Sequence, residues 1–216
     1  MHKLMGTQID KKNIGLARLL AGLRDDLDIY CLISVNADNI NQKGIGKLFL
    51  GHIQQRAIES ISLCIYKIYE YQNKHELNSI AGILRNLNKV DSTGLNEREL
   101  LDFIQKYGGP LELDDRISAL EKTFKKVKKK YRDDLKRFET FRHKKIAHSE
   151  YSNAIESLPS YDVMQQLFNF GVEFYELVSS VFIWVVPADL RNRRVKISLK
   201  RLLQELGIKD IKDDMY

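Results

Sequence analysis

Apolar residues recur along this chain at intervals of three and four, the spacing of one face of an α-helix, and hardly ever in the strict alternation of a half-buried strand. A first amphipathic segment is predicted over residues 9–35, where Ile14, Leu16, Leu19, Leu20, Leu23, Leu27, Tyr30 and Cys31 recur at helical intervals. Asn-rich, Gly-containing turn chemistry over 36–46 separates it from a second helix running to about residue 71, marked by Leu48, Phe49, Ile53, Ile58, Ile61, Cys64, Ile65 and Ile68. A shorter helix over 75–87 ends at Asp91-Ser92-Thr93-Gly94. Asn96 begins another, with Glu99 three residues on as its capping partner, and Gly108-Gly109-Pro110 stops that one.

The pattern then predicts one long helix over 113–141, opening with Asp114 and Asp115 where the helix dipole favours acids. A last long helix is expected from Pro159 and Tyr161 to about residue 186. Apolar residues nearly encircle its second half, as in a central rod or a dimer face, so Phe168, Phe170, Phe174, Tyr175 and Phe182 read as core rather than as a base-stacking platform. Pro187 ends it, and 191–216 is a basic, then acidic, appendage with an amphipathic 199–206. With only three Pro and no internal repeat, the expected fold is all-α, a single domain over 1–216 whose core spans about 9–186, with residues 187–216 as the C-terminal appendage.

Length and composition narrow the class. A chain of 216 residues, 44% hydrophobic and 30% charged, can bury a substantial core as one soluble unit. No run of about 18 apolar residues suggests a membrane span, and the polar, Lys-rich start lacks the apolar centre of a signal peptide, so a cytoplasmic protein is expected. Cys31 and Cys64 sit inside apolar helical patterns with no paired spacing for zinc, and are expected as reduced thiols. His52 and His75 match no ligand spacing either. No metal and no cofactor is therefore expected. The net charge of +6 favours an anionic partner without choosing one.

Candidate chemistry concentrates in Phe141-Arg142-His143-Lys144-Lys145-Ile146-Ala147-His148-Ser149, at the end of a basic run that begins at Lys125 and continues through Lys128, Arg132, Lys136 and Arg137. An Arg followed after a few residues by a His is a loose string, and Arg137 with His143 matches it too. Its context is more specific: a cationic field that would draw polyanions, small residues Ala147 and Ser149 on either side of His148, and turn-forming residues just beyond. The bland alternatives are a helix-terminal His148 satisfying carbonyls, an Arg142 paired with Glu139 or Glu150, and a Lys run around Lys128 that is simply a solvated face. Glu59, facing inward from an apolar helix, could orient a catalytic group, but snorkelling or pairing with Arg56 accounts for it as well, and it is left out of the site.

The segment resembles the signature of HEPN domains, an Arg, a polar residue, a short spacer and Ala-His, and most of all that of their abortive-infection AbiU-like branch. The stretches Ser60-Ile61-Ser62-Leu63-Cys64-Ile65-Tyr66-Lys67-Ile68-Tyr69-Glu70 and Asn78-Ser79-Ile80-Ala81-Gly82-Ile83-Leu84 are similar to what that branch carries before its motif. The resemblance covers residues 46–184 loosely and the motif sharply. His143 stands where relatives often have Asn, and Tyr151 comes one place later than in toxins that are silenced through that Tyr.

The resemblance implies an up-and-down helical bundle with short extra helices, a homodimer that brings two Arg and His sets to one cleft, and a metal-independent endoribonuclease of a phage-defence or toxin system, with an antitoxin or other regulatory protein as a further partner. On that reading Arg142 and His148 form the catalytic pair, His143 supports them, and Lys144, Lys145 and Arg137 hold RNA phosphates. His148 suits proton transfer because an imidazole populates both forms near neutral pH. Arg142 suits the phosphate because its planar fork stays charged and donates two parallel bonds. Relatives that have lost catalysis imply the alternative, a silent module binding nucleotide, RNA or a partner protein through the same groove.

Overall fold

The computed structural model of the protein describes residues 2–44, 46–70, 78–87, 94–110, 115–147, 158–182, 190 and 193–213, and side chains within these from residue 15 onward except at 145–147 and 180–182. Among the described residues the fold is all-α: α1 (His2–Val35), α2 (Ala37–Lys43), α3 (Lys47–Tyr69), α4 (Ile80–Leu87), α5 (Glu97–Lys106), α6 (Arg116–Lys130), α7 (Arg132–Phe141), α8 (Tyr161–Phe182) and α9 (Arg194–Glu205). A turn of π-helix (Arg142–Ala147) extends α7. None of these helices is long and apolar enough to cross a membrane.

The long amphipathic helices lie where periodicity puts them. Leu16, Leu20, Leu23 and Leu27 of α1 and Ile58, Ile61, Ile65 and Ile68 of α3 face one main core, which α4, α5, α6 and α8 complete. Along the described part of the apolar half of α8, Phe170, Val172, Phe174, Tyr175, Leu177 and Val178 are all buried within the one chain. Its backbone comes close to α1 at Gly171, where a Cβ would stand 2.9 Å from Leu20 Cδ2. Asn96 caps α5 as expected, accepting from the N–H groups of Arg98 and Glu99 at 3.0 and 3.3 Å.

Two connections differ from the sequence reading. The Asn-rich stretch after α1 contains a short helix of its own, α2, closed by Gly44 in the left-handed region at φ 70°. The supposed single helix over 113–141 is two, because Tyr131 leaves helical geometry at φ −103°, ψ 23° and turns its hydroxyl inward onto Gln166 of α8. Asp115 caps α6 by accepting from Ile117 N at 3.0 Å, and Asp133 and Asp134 open α7 with the acids its dipole favours. The expected Asp91–Thr93 stop, Asp114, Pro187 and the start of the 75–87 helix lie outside the described residues.

Residues 194–213 pack back onto the first three helices. Leu199, Leu203 and Ile208 form a second apolar cluster with Leu32, Ile33, Ile40 and Leu50. Asn36, fully buried, donates to the Leu32 and Lys212 carbonyls at 2.8 and 3.0 Å and accepts from Lys212 N at 3.0 Å, so its role is to fasten the C-terminal stretch. Cys31 is buried and Cys64 half-buried, and neither is in a disulfide.

Two tests follow from this packing. Gly109 approaches α6 so closely that an added Cβ would fall inside the Thr123 hydroxyl and 2.9 Å from Ile104 Cγ2, so Gly109→Ala should destabilise the fold by about 1–3 kcal/mol in denaturant unfolding, against near neutrality at open Gly51. Burial, opposed by a Ser60 hydrogen bond, pushes the Asp26 carboxyl up to about 6. Its contribution to stability is therefore present below about pH 4 and lost as pH rises through about 6. Asp26→Asn should accordingly raise the melting temperature near pH 8 and do much less near pH 4; a uniform shift would refute this account.

Candidate functional site

The end of α7 is placed by its apolar face. Phe138 and Phe141 are fully buried, which fixes the rotation of the helix and brings Arg132, Lys136 and Glu139, at positions i, i+4 and i+7, onto one edge facing the C-terminal end of α3. From Arg142 the backbone widens into the π-helix, so Arg142 and Ala147 stand one turn apart. The motif singled out in the sequence thus begins at the switch from α to π geometry.

Arg142 is half-buried, and its guanidinium lies over the ring of Tyr66 on α3, 4.5 Å from the ring centroid. A cation over an aromatic face is attracted by the ring quadrupole, and this contact holds the charge of Arg142 at the end of α3. Tyr66 is itself held by a hydrogen bond from its hydroxyl to Glu70 Oε1 at 3.3 Å. Burial and the neighbouring Glu70 push the Tyr66 phenol above its usual range, so it stays neutral and presents an intact π face.

Beside this pair opens a cleft of about 670 Å³, walled by Tyr66 and Tyr69 of α3, Glu70 just after it, Lys128 of α6, and Arg132, Asp133, Leu135, Lys136 and Glu139 of α7. Lys128 behaves differently from its neighbours. Lys125, Lys126, Lys129 and Lys130 are exposed, as a solvated face would be, whereas Lys128 turns inward and donates to the Tyr69 carbonyl at 3.0 Å. It closes the C-terminal end of α3, and burial lowers its pKa. The break at Tyr131 separates α6 from α7 so that both contribute to one concavity.

The remaining predicted site residues sit around this centre unequally. His143 and Lys144 are exposed on the π turn. Arg137 is exposed on α7 and lies 3.8 Å from Asp134 Oδ1 in a loose (i, i+3) ion pair. The Lys145 side chain and His148 lie outside the described residues, as do Glu150 and Tyr151. Arg142 is therefore the motif residue whose surroundings are defined, and among the described residues its contact is with the ring of Tyr66. Glu59 does pair with Arg56, at 3.0 Å.

Sequence reasoning gives Tyr66 and Glu70 no role in the site, and names Lys128 only as part of a basic run or solvated face and Glu139 only as an alternative partner of Arg142. Tyr66 and Glu70 are one turn apart at the half-buried margin of α3, a polar pair interrupting an apolar pattern, and that is the signal that marks them. For Lys128 the signal is weaker: it follows Phe124 by four residues and lies 5.7 Å over its ring. Among the described residues no group of three or more His, Cys, Asp or Glu could hold a metal ion. No curated protein and no solved structure matches the chain. Over residues 16–196, however, the chain matches the AbiU2 family of HEPN domains, with the π turn and the cleft both inside that span, and it belongs to that family.

Proposed function

We propose that the protein is a metal-independent endoribonuclease of a prokaryotic phage-defence or toxin system, acting as a homodimer. The single observation that carries this reading is Arg142, held over Tyr66 at the margin of a cleft that carries Lys128, Arg132 and Lys136 beside carboxylates, in a chain that belongs to a HEPN family linked by its name to abortive infection. RNA enters along the exposed lysines of α6, which draw a polyanion to this side of the molecule. Lys144, Lys145 and Arg137 hold flanking phosphates.

In the proposed reaction a neutral imidazole removes the proton from a ribose 2′-OH, and the freed oxygen attacks the adjacent phosphorus. The P–O5′ bond breaks as the new P–O2′ bond forms, and an imidazolium returns a proton to the departing 5′ oxygen. The products are a 2′,3′-cyclic phosphate and a 5′-hydroxyl. Arg142, held over Tyr66, neutralises charge building on the non-bridging oxygens through its N–H groups. His148 is the proton-transfer group, supported by His143. One imidazole cannot be both base and acid in the same step, and the second His148 of a dimer supplies the missing partner. An antitoxin or other regulatory protein is expected to mask the same face.

RNA of mixed sequence, incubated in EDTA, should be cleaved by the wild type to cyclic-phosphate ends, while DNA of the same sequence is spared because it lacks the attacking hydroxyl. His148→Ala should lower the rate by about 10²–10⁴-fold and Arg142→Ala by about 10²–10³-fold, read by product mass and single-turnover kinetics. Cleavage that survives both substitutions would overturn the assignment. Inert wild type that still binds RNA in a salt-sensitive way would favour the silent binding module.

A further inference from the structure

The charge of the cleft is not that of a site for phosphate alone. Besides Lys128, Arg132 and Lys136 it carries the carboxylates Glu70 and Glu139, which stand near the Arg142 and Tyr66 pair and would repel a phosphate brought against them. Carboxylates are acceptors only, so what they suit is a ligand edge rich in N–H donors. Tyr66, which lines the cleft, and Arg142, whose guanidinium lies over that ring, are the two kinds of group on which unstacked bases lie. At about 670 Å³ the cleft falls within the range of roughly 300–1,000 Å³ typical of small-ligand sites.

We propose that this cleft is a base-recognition subsite: it takes one unstacked nucleotide of the RNA, lays the base against Tyr66 and Arg142, and turns the donor edge of the base toward Glu70 and Glu139. The inference rests on the RNA-cleaving reading above and adds a preference to it. Cytosine, adenine and guanine carry an exocyclic amino group that these acceptors can receive, whereas uracil presents a carbonyl at the corresponding position of the pyrimidine ring. Lys136 and Arg132, outermost on α7, contact the phosphates on either side of the bound nucleotide. Glu70 is already oriented by the Tyr66 hydroxyl, so the acceptor and the stacking surface are fixed relative to each other before RNA arrives.

The test is fluorescence anisotropy with 2′-O-methyl hexacytidylate and hexauridylate, which differ at the C4 substituent and, lacking a free 2′-OH, report binding without cleavage. Wild-type full-length protein should bind the cytidylate about tenfold more tightly. The double variant Glu70→Gln, Glu139→Gln should lose most of that preference, since an amide can also donate to uracil. Tyr66→Leu should weaken both complexes by about tenfold, Tyr66→Phe should retain affinity, and Arg201→Ala, on the exposed side of α9, serves as the control. Tyr66→Phe keeps the ring and so guards against a folding defect in Tyr66→Leu. Cleavage of unmodified RNA is assayed in parallel. A wild type that cleaves but binds both hexamers alike, unaffected by Tyr66→Leu, overturns the subsite and leaves the nuclease standing. A wild type that does not cleave but keeps the preference and its Tyr66 dependence upholds the subsite and overturns the nuclease. Failure to bind either hexamer overturns the subsite whether or not cleavage is seen.

Discussion

The geometry of the site depends on Tyr69. This residue ends α3, and its ring is buried between Phe124 of α6 and Phe170 of α8, with centroids 6.1 and 6.3 Å away. Its hydroxyl donates to the Leu167 carbonyl at 2.7 Å, and its own carbonyl accepts from Lys128 at 3.0 Å. One residue thus satisfies a buried phenol, closes a helix end and joins three helices. Burial pushes that phenol's pKa well up, so it remains a donor at any ordinary pH. Because Tyr66 precedes it by less than one turn and Glu70 follows it directly, fixing Tyr69 also fixes where the stacking ring and the adjacent carboxylate emerge.

The second determinant is the interruption at Tyr131. An unbroken helix from Asp115 to Phe141 would carry its lysines past the core in one straight line. Tyr131 interrupts helical geometry and is anchored to Gln166 of α8, and beyond it the register of α7 is set by the buried Phe138 and Phe141. Arg142 arrives over Tyr66 as a result of apolar packing on the opposite face of the same helix. The π turn that follows suits such a position, since wide turns of this kind concentrate at functional sites and give up regular hydrogen bonding to do so.

How much of this could be read from the sequence follows from what kind of fact each feature is. The helices were legible because burial of α1, α3 and α8 repeats at the helical period, and the Asn96 cap was legible because its chemistry is local. The division at Tyr131 was not, since the cause is a hydroxyl contact to a residue 35 positions away. Likewise α2 lay hidden in a stretch whose Asn and Gly suggested only turns, although its buried Ile40 belongs to the second core. Arg142 was identified by its motif, but its partner Tyr66 lies on another helix with nothing in the spacing to connect them. The run of lysines read as a uniform face, and only three-dimensional packing distinguishes Lys128 from the rest.

The contact between Arg142 and Tyr66 bears on how the site would work, because the same guanidinium is asked to be both held and available. A salt bridge to Glu139 would have held it by its N–H edge, the part needed for phosphate, and would have to break before substrate could bind. The contact with a neutral ring holds the charge without a carboxylate among the described residues. The charge is then kept in place at little electrostatic cost. Glu70 contributes by fixing the ring through its hydroxyl while leaving the guanidinium alone. The order of dependence runs from the buried Tyr69, to the emergence of Tyr66, to the posture of Arg142, so the chemistry at the rim is prepared by aromatic packing in the core.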